Sequence, residues 1–264
     1  MRYGYCMDLK FLNGDEEDRA LFEAVVEAGF DYIELPFSEL SALSRDEIAD
    51  LKKELRTIPC LACNLFFPPG IKIVGPGMAA NEVMSYLERM MPLAAGLGIE
   101  TLVFGNGGAR KIPEGATRES IWANLRLIAE LMDVYAVQNN IKISVEPLNS
   151  TETNIINSYG EAVELTFGLK NVGTMIDSYH VAMENQTYED VAKYPAHMWH
   201  LHTAYPTGRL VPSPDDPAGT YDEFVQTVKK SGYNNKISIE GALKNPADVK
   251  KEVAAGLEVL RGWF

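Results

Sequence analysis

Short apolar runs alternate along this chain with longer stretches whose apolar residues recur every three or four positions, so strands and amphipathic helices are predicted to alternate from end to end. Residues 3–7 read as a first short strand. Residues 15–29 place Leu21, Phe22, Val25 and Val26 on one helical stripe, with Asp15, Glu16, Glu17 and Asp18 suited to the amino end and Gly29 to the stop. A second strand over 30–35, a helix within 41–55 and a third strand over 58–66 follow, the strand closed by Pro68-Pro69. The next helix, over 81–98, is expected to end or kink at Pro92, which has no amide hydrogen. A fourth strand covers 101–104, then come the loop GNGGARKIPEG and a long helix over 117–138.

The second half repeats the pattern with one addition: each strand ends on a chemically active side chain. Ile141, Ile143 and Val145 alternate in a fifth strand that stops at Glu146-Pro147, because proline cannot continue a ladder. The strand over 172–176 ends on Asp177, that over 198–201 on His202, and that over 237–239 on Glu240. Ser158-x-x-Glu161, Thr187-x-x-Asp190 and Thr220-x-x-Glu223 read as capping signals for three later helices. Asn245-Pro246 starts the last helix, which runs to Phe264.

These are eight strand–helix units at roughly 30-residue spacing, the size of a βα unit. Parallel strands joined by helices cross over right-handedly, and eight such units close on themselves. The predicted architecture is α/β, a single (β/α)8 TIM barrel over residues 1–264. The one long irregular stretch, 203–219, is too long for a mere connection and is expected to cover the site.

A net charge of -13 repels phosphate backbones, which argues against nucleic acid and for a small-molecule substrate. The first residues, MRYGYCMDLK, lack the apolar core of a signal peptide, and the longest apolar run, 90–97, is far too short to span a bilayer, so a cytoplasmic location is expected. A homo-oligomer is compatible with the sequence. Cys60-Leu-Ala-Cys63 is formally a C-x-x-C, but no Cys/His pair follows at zinc-finger spacing and no helix starts at the motif. Both cysteines are read as buried strand residues.

In such a barrel the carboxyl ends of the strands face one active site. One Asp, Glu or His at a loop start is ordinary; one at the end of each of four consecutive strands is not. Three carboxylates and an imidazole at one point repel unless a cation compensates. Oxygen-rich ligation with one nitrogen suits Mn²⁺, Mg²⁺ or Co²⁺, with Zn²⁺ admissible.

At these residues the chain resembles the sugar isomerase/epimerase superfamily of xylose isomerase-like barrels, which includes D-tagatose 3-epimerase-type ketose epimerases and hydroxypyruvate isomerases. The resemblance covers nearly the whole chain and is most specific in strands five to eight. It implies that Glu146, Asp177, His202 (of His200-Leu-His202) and Glu240 hold one divalent metal ion, manganese first among the candidates, and that Glu146 and Glu240 form the catalytic acid/base pair. It further implies substrate binding by His180 (of Asp177-Ser-Tyr-His180), by Glu152, six residues after Glu146, and by Arg209.

The residues support that chemistry on their own terms. A metal bound to a ketone and an adjacent hydroxyl acidifies the carbon-bound proton and holds the enediolate. Two carboxylates on opposite sides can remove the proton and return it to the other face. His180 can donate to the carbonyl oxygen. His200 is read as lying on the other side of the strand from His202, buried behind it, and His197 as structural. The glycines of residues 105–111 expose amides able to cradle an anion, which makes Arg110 a candidate contact for a phosphate or carboxylate. Glu34, ending the second strand, is a further residue able to line the site.

The expected function is a metal-dependent isomerase or epimerase acting on a ketose, a ketose phosphate or a related carbonyl polyol. A dehydratase of a sugar or cyclitol, resembling inosose dehydratase, shares the proton abstraction and is the main alternative. A phosphodiesterase resembling endonuclease IV needs many histidines, and this chain has four, all after residue 179. A non-catalytic sugar-binding barrel is disfavoured because every metal and acid/base candidate is present.

Overall fold

In the computed structural model, which describes residues 1–264, eight parallel strands form a closed barrel in chain order. They are β1 (Arg2–Cys6), β2 (Tyr32–Pro36), β3 (Cys60–Asn64), β4 (Thr101–Phe104), β5 (Lys142–Val145), β6 (Val172–Asp177), β7 (Met198–Thr203) and β8 (Lys236–Ile239). Residues 32–36, 101–104, 172–177 and 236–239 are buried along their whole length. That is the expected state of parallel strands covered on both faces, by the barrel interior and by the helical shell. The ladder is regular except for register shifts at Ile33/Glu34 between β2 and β3 and at Thr174/Met175 between β6 and β7.

The helices follow the apolar stripes. Helix Glu16–Ala28 buries Phe22, Ala24 and Val25; Asp15 caps it by accepting from the amides of Glu17 and Asp18, and Gly29 ends it in the left-handed region. Each fully buried side chain of Val or Phe size contributes about 1.5–3 kcal/mol. Ser44 and Glu47 form a reciprocal capping box for helix Arg45–Glu54. Ser158 caps Tyr159–Thr166, while the Glu161 carboxylate accepts from the amide of Asn157. Asn245 caps the 3₁₀ turn Pro246–Asp248 that leads into Val249–Trp263.

Three local expectations are corrected. Helix Ala80–Leu97 runs through Pro92 without ending. Pro92 and Glu88, whose carbonyl loses its partner, are both exposed, so water can take the missing hydrogen bond. Thr187 is not a cap: the short helix Glu189–Lys193 starts after Tyr188. Nor is Thr220, whose hydroxyl donates back to the carbonyl of Pro217 while the helix starts at Asp222.

At the amino end of the barrel the nearly buried Lys236 ammonium meets Glu100 at 2.7 Å, and the Arg2 guanidinium closes on the same carboxylate at 2.8 and 3.0 Å. Cys60 and Cys63 are buried free thiols 3.6 Å apart, as the sequence implies. No helix is long and apolar enough to cross a membrane.

Candidate active site

The ends of β5 to β8 bring Glu146, Asp177, His202 and Glu240 together, with one ligating atom from each lying within 4.8 Å of the others. Glu146, Asp177 and His202 are buried, while the Glu240 side chain remains 22% exposed. His202 Nδ1 lies 3.2 Å from Glu146 Oε1 and 2.9 Å from Glu240 Oε2, so the two carboxylates flank one nitrogen. Asp177 uses Oδ1 to cap the helix Ser178–Met183, leaving Oδ2 facing the cluster. Gly105 leaves room for Glu146, because a Cβ there would displace the Glu146 Oε2 from its present position.

The cluster's electrostatics follow from burial and pairing. Burial raises the Asp177 carboxyl, to about 6, against the pull of Arg209. Burial also raises Glu146, opposed by its hydrogen bond with His202. For Glu240 the upward push of burial is outweighed by His202 and Arg209, and its carboxyl falls to about 2. Burial disfavours a charged His202, yet Glu34 and Glu240 together hold its imidazole well above the ordinary value. Three carboxylates and one imidazole converging in a buried space are a donor set that fits one divalent cation with a preference for oxygen ligands.

The predicted substrate-binding residues surround this cluster, with one exception. His180 Nδ1 accepts from the backbone amide of Asn149 at 3.2 Å, which assigns the proton to Nε2. That Nε2 is buried without a hydrogen-bond partner, 3.5 Å from Asp177 Oδ2. Burial lowers the His180 pKa, so the ring is a neutral donor. Arg209 contacts Glu240 at 2.7 Å, Asp177 at 3.3 Å and Glu152 at 3.7 Å, and stacks over the Tyr179 ring at 4.7 Å. A cavity of about 1010 Å³ opens beside the cluster, with Arg209 and Glu240 in its wall.

The exception is Arg110. The glycine-rich segment forms a helical turn, Gly107–Arg110, that directs the guanidinium into the protein, where it is fully buried and donates to the backbone carbonyls of Phe104, Glu146 and Ile156. It does not face the cavity and is a scaffold for the β4 and β5 ends, so its expected role as a substrate contact is withdrawn. The stretch after β7 also differs from a free cover. A tight turn pairs Tyr205 with Leu210, and Leu210 pairs in turn with Ala242 beyond β8.

His200 corrects another expectation. Positions two apart on a strand share a face, so His200 and His202 both enter the barrel interior, their ring centroids 5.0 Å apart. Both rings bond Glu34, which is fully buried. Burial would raise the Glu34 carboxyl, but the two imidazoles outweigh it and hold it well below the ordinary range. His197 stands apart from the site, stacked on Phe167. Sequence reasoning missed Asn64, which ends β3 and donates to Glu240 Oε1 at 3.2 Å. It also missed Cys6, at the end of β1, whose thiol lies within 4.8 Å of Glu34 and His202. The strand-end rule would have found both had the first and third strands been read to end at Cys6 and Asn64 rather than at residues 7 and 66.

The chain matches the xylose isomerase-like TIM barrel family over residues 22–263. It is 22% identical over 242 residues to D-psicose 3-epimerase of Agrobacterium fabrum, an overlap of 88% of this chain and 81% of that protein. Among solved structures, D-allulose 3-epimerase from Methylomonas sp. in complex with D-allulose superposes with a TM-score of 0.80 at 17% identity, over 100% of this chain and 97% of that one. The IolI protein with a bound zinc atom superposes with a TM-score of 0.72 at 18% identity, over 100% and 98% of the two chains. At these identities the structural likeness establishes the shared barrel.

Proposed function

This chain belongs to the xylose isomerase-like TIM barrel family, and from that premise we propose that it is a divalent-metal-dependent sugar isomerase or epimerase, acting on an unphosphorylated ketose or related polyol carbonyl by proton transfer next to the carbonyl. The observation that carries this reading is the convergence of Glu146, Asp177, His202 and Glu240 in one buried cluster with two carboxylates flanking one imidazole nitrogen. The relative named for 3-epimerisation of D-psicose supports the reaction class, and the zinc atom in the IolI barrel supports a divalent cation.

Glu146, Asp177, His202 and Glu240 would hold the cation, which when bound polarises the carbonyl and hydroxyl oxygens and so acidifies the C–H between them. One of Glu146 and Glu240, ionised, would take that proton to leave an enediolate, and the other, entering the step as the carboxylic acid, would give its own proton to the opposite face, so that the two exchange protonation states in each turnover. The free Nε2–H of His180 donates to the carbonyl oxygen as negative charge develops there. Arg209 and Glu152 bind hydroxyls and fix which carbon lies between the two carboxylates. Asn64 holds Glu240 at its working angle.

The unphosphorylated substrate follows from the cavity wall. Its one basic residue is Arg209, already facing Glu152, Asp177 and Glu240, whereas Asp8, Glu16, Glu17, Asp18 and Glu240 supply negative charge. A phosphate would meet repulsion.

The test is a screen of ketohexoses, D-allulose first, with their 1- and 6-phosphates, using Mn²⁺-loaded protein in D₂O and following the products by NMR. The expected result is an epimer or isomer of a free ketose carrying solvent deuterium next to the carbonyl. Loss of water instead of isomerisation would make the enzyme a dehydratase. Migration of the substrate's own hydrogen would replace proton transfer by a hydride shift, and faster turnover of a phosphate ester would overturn the unphosphorylated substrate class.

A further inference from the structure

Glu34 is a fully buried carboxylate for which the proposed chemistry has no step. Its strand, β2, pairs with β1 and β3, yet its side chain crosses the barrel interior to β7 and β8. Oε1 lies 3.0 Å from His202 Nε2, and Oε2 lies 2.9 Å from His200 Nε2 and 2.6 Å from the Ser238 hydroxyl. The Tyr32 hydroxyl bonds Ser238 in turn at 2.8 Å. The β2–β3 ladder shifts register between Ile33 and Glu34, which is how a strand re-aims one side chain.

The donor inventory assigns the protons. An ionised carboxylate only accepts, so both imidazoles present Nε2–H to Glu34. For His202 this leaves Nδ1 as the nitrogen pointing into the carboxylate cluster, 3.2 Å from Glu146 and 2.9 Å from Glu240. For His200 it leaves a buried Nδ1 with no partner, so Glu34 is the one group its ring bonds. A ligand histidine is fixed in tautomer and angle by whatever its other nitrogen bonds.

We propose that Glu34 is a positioning residue of the cation site: one oxygen, braced by the other's bonds to His200 and Ser238, holds the Nε2–H of His202 so that its Nδ1 faces the space shared with Glu146, Asp177 and Glu240, where a cation would displace any proton on that nitrogen. The inference rests on the cation site proposed above. It explains why the chain carries His-x-His at this strand: His200 holds the carboxylate that holds His202.

The experiment measures binding of Mn²⁺ and Co²⁺ by calorimetry, and the Co²⁺ absorption spectrum, for the wild type and Glu34→Gln. Gln has one oxygen to accept from two imidazoles, and its amide group cannot accept from the other. Metal affinity is expected to fall about 10–100-fold, with an altered Co²⁺ band. A purely structural role would lower the unfolding midpoint of the metal-free protein and leave both readouts unchanged. Should Glu34→Gln fail to fold, histidine ¹⁵N NMR of the wild type loaded with Zn²⁺ decides the matter. His202 is expected to keep its proton on Nε2 and bind through Nδ1; binding through Nε2 overturns the proposal. Absence of any metal binding by the wild type would sink the cation site itself, whereas wild-type binding with unchanged affinity and spectrum in Glu34→Gln would sink only the role of Glu34.

Discussion

Arg110→Met removes a guanidinium and keeps most of an apolar stem. The three carbonyls it serves are not equivalent. Phe104 O also accepts from the amide of Glu146, and Ile156 O from that of Leu148, so each keeps one partner. The Glu146 carbonyl, bonded by Arg110, is the group left buried and unpaired. An orphaned buried acceptor costs about 1–3 kcal/mol, and each of the other two lost bonds about 0.5–1.5 kcal/mol. Against this, burial already disfavours the charge, lowering the Arg110 pKa to about 10, and methionine relieves that penalty in part. The net expectation is a loss of about 2–4 kcal/mol, or about 4–16 °C in thermal midpoint for a chain of this size. Differential scanning calorimetry measures it, with urea unfolding as a check. Because Glu146 hangs from the freed carbonyl, turnover should fall beyond what unfolding explains at a temperature where the variant is folded. A midpoint within 2 °C of the wild type with full activity would refute the scaffold role of Arg110.

Glu146→Gln and Glu240→Gln should each cost about 10²–10⁴ in turnover while exchange of the substrate hydrogen facing the surviving glutamate persists in D₂O; equal loss of both exchanges would exclude two separate bases. The reloaded wild type should hold close to one metal ion per chain by elemental analysis and Asp177→Ala should lose it, and unchanged content would remove Asp177 from the proposed ligand set. Arg209→Ala should lower kcat/KM by about 10–100-fold, the value of a charged hydrogen bond, with metal content intact; wild-type kinetics would take Arg209 out of the site. At the far end of the barrel, hydrogen bonds from Arg2 and then Lys236 hold the Glu100 carboxyl down to about 2, against an ordinary value of 4.5. A depressed carboxyl contributes stability that is present above pH 4.5 and lost as pH falls toward 2, so Glu100→Gln should flatten the acid-unfolding curve in that window without changing turnover, and an unchanged slope would show the pairing to be idle.

The barrel was legible because its signal is local. Ile143, Val145, Ile237 and Ile239 alternate with the strand period, and Phe22 and Val25 with the helix period, and each pattern can be read within a few residues. The four ligand candidates were legible for the same reason: a charged or imidazole side chain directly after an apolar run marks a strand end in any one unit. Glu34 does not end its strand, as the sequence suggested, but sits in the middle of β2, and its partners lie on β7 and β8, more than 160 residues on, so no local pattern records that contact across the barrel. Arg110 was misread because a glycine-rich loop with a basic residue looks the same whether the guanidinium turns outward to an anion or inward to carbonyls. That the helix continues past Pro92 was not legible because the cost of the proline depends on whether Glu88's carbonyl meets water, which only packing decides.

The turn after β7 carries a consequence for how this pocket meets its ligand. Arg209 sits in the left-handed region at φ 49°, an unusual conformation for a residue with a Cβ. It is locked there because its carbonyl accepts from the amide of Ala242, while the amide of Val211 donates to the carbonyl of Ala242. Its side chain is confined by Tyr179 and three carboxylates. The rotamer freedom that a flexible arginine surrenders on gripping a ligand, about 0.5–1.5 kcal/mol, is here relinquished during folding. If Arg209 binds substrate as proposed, association should be correspondingly less entropically opposed and recognition narrow, because an arm fixed at both ends of its backbone favours a hydroxyl at one distance.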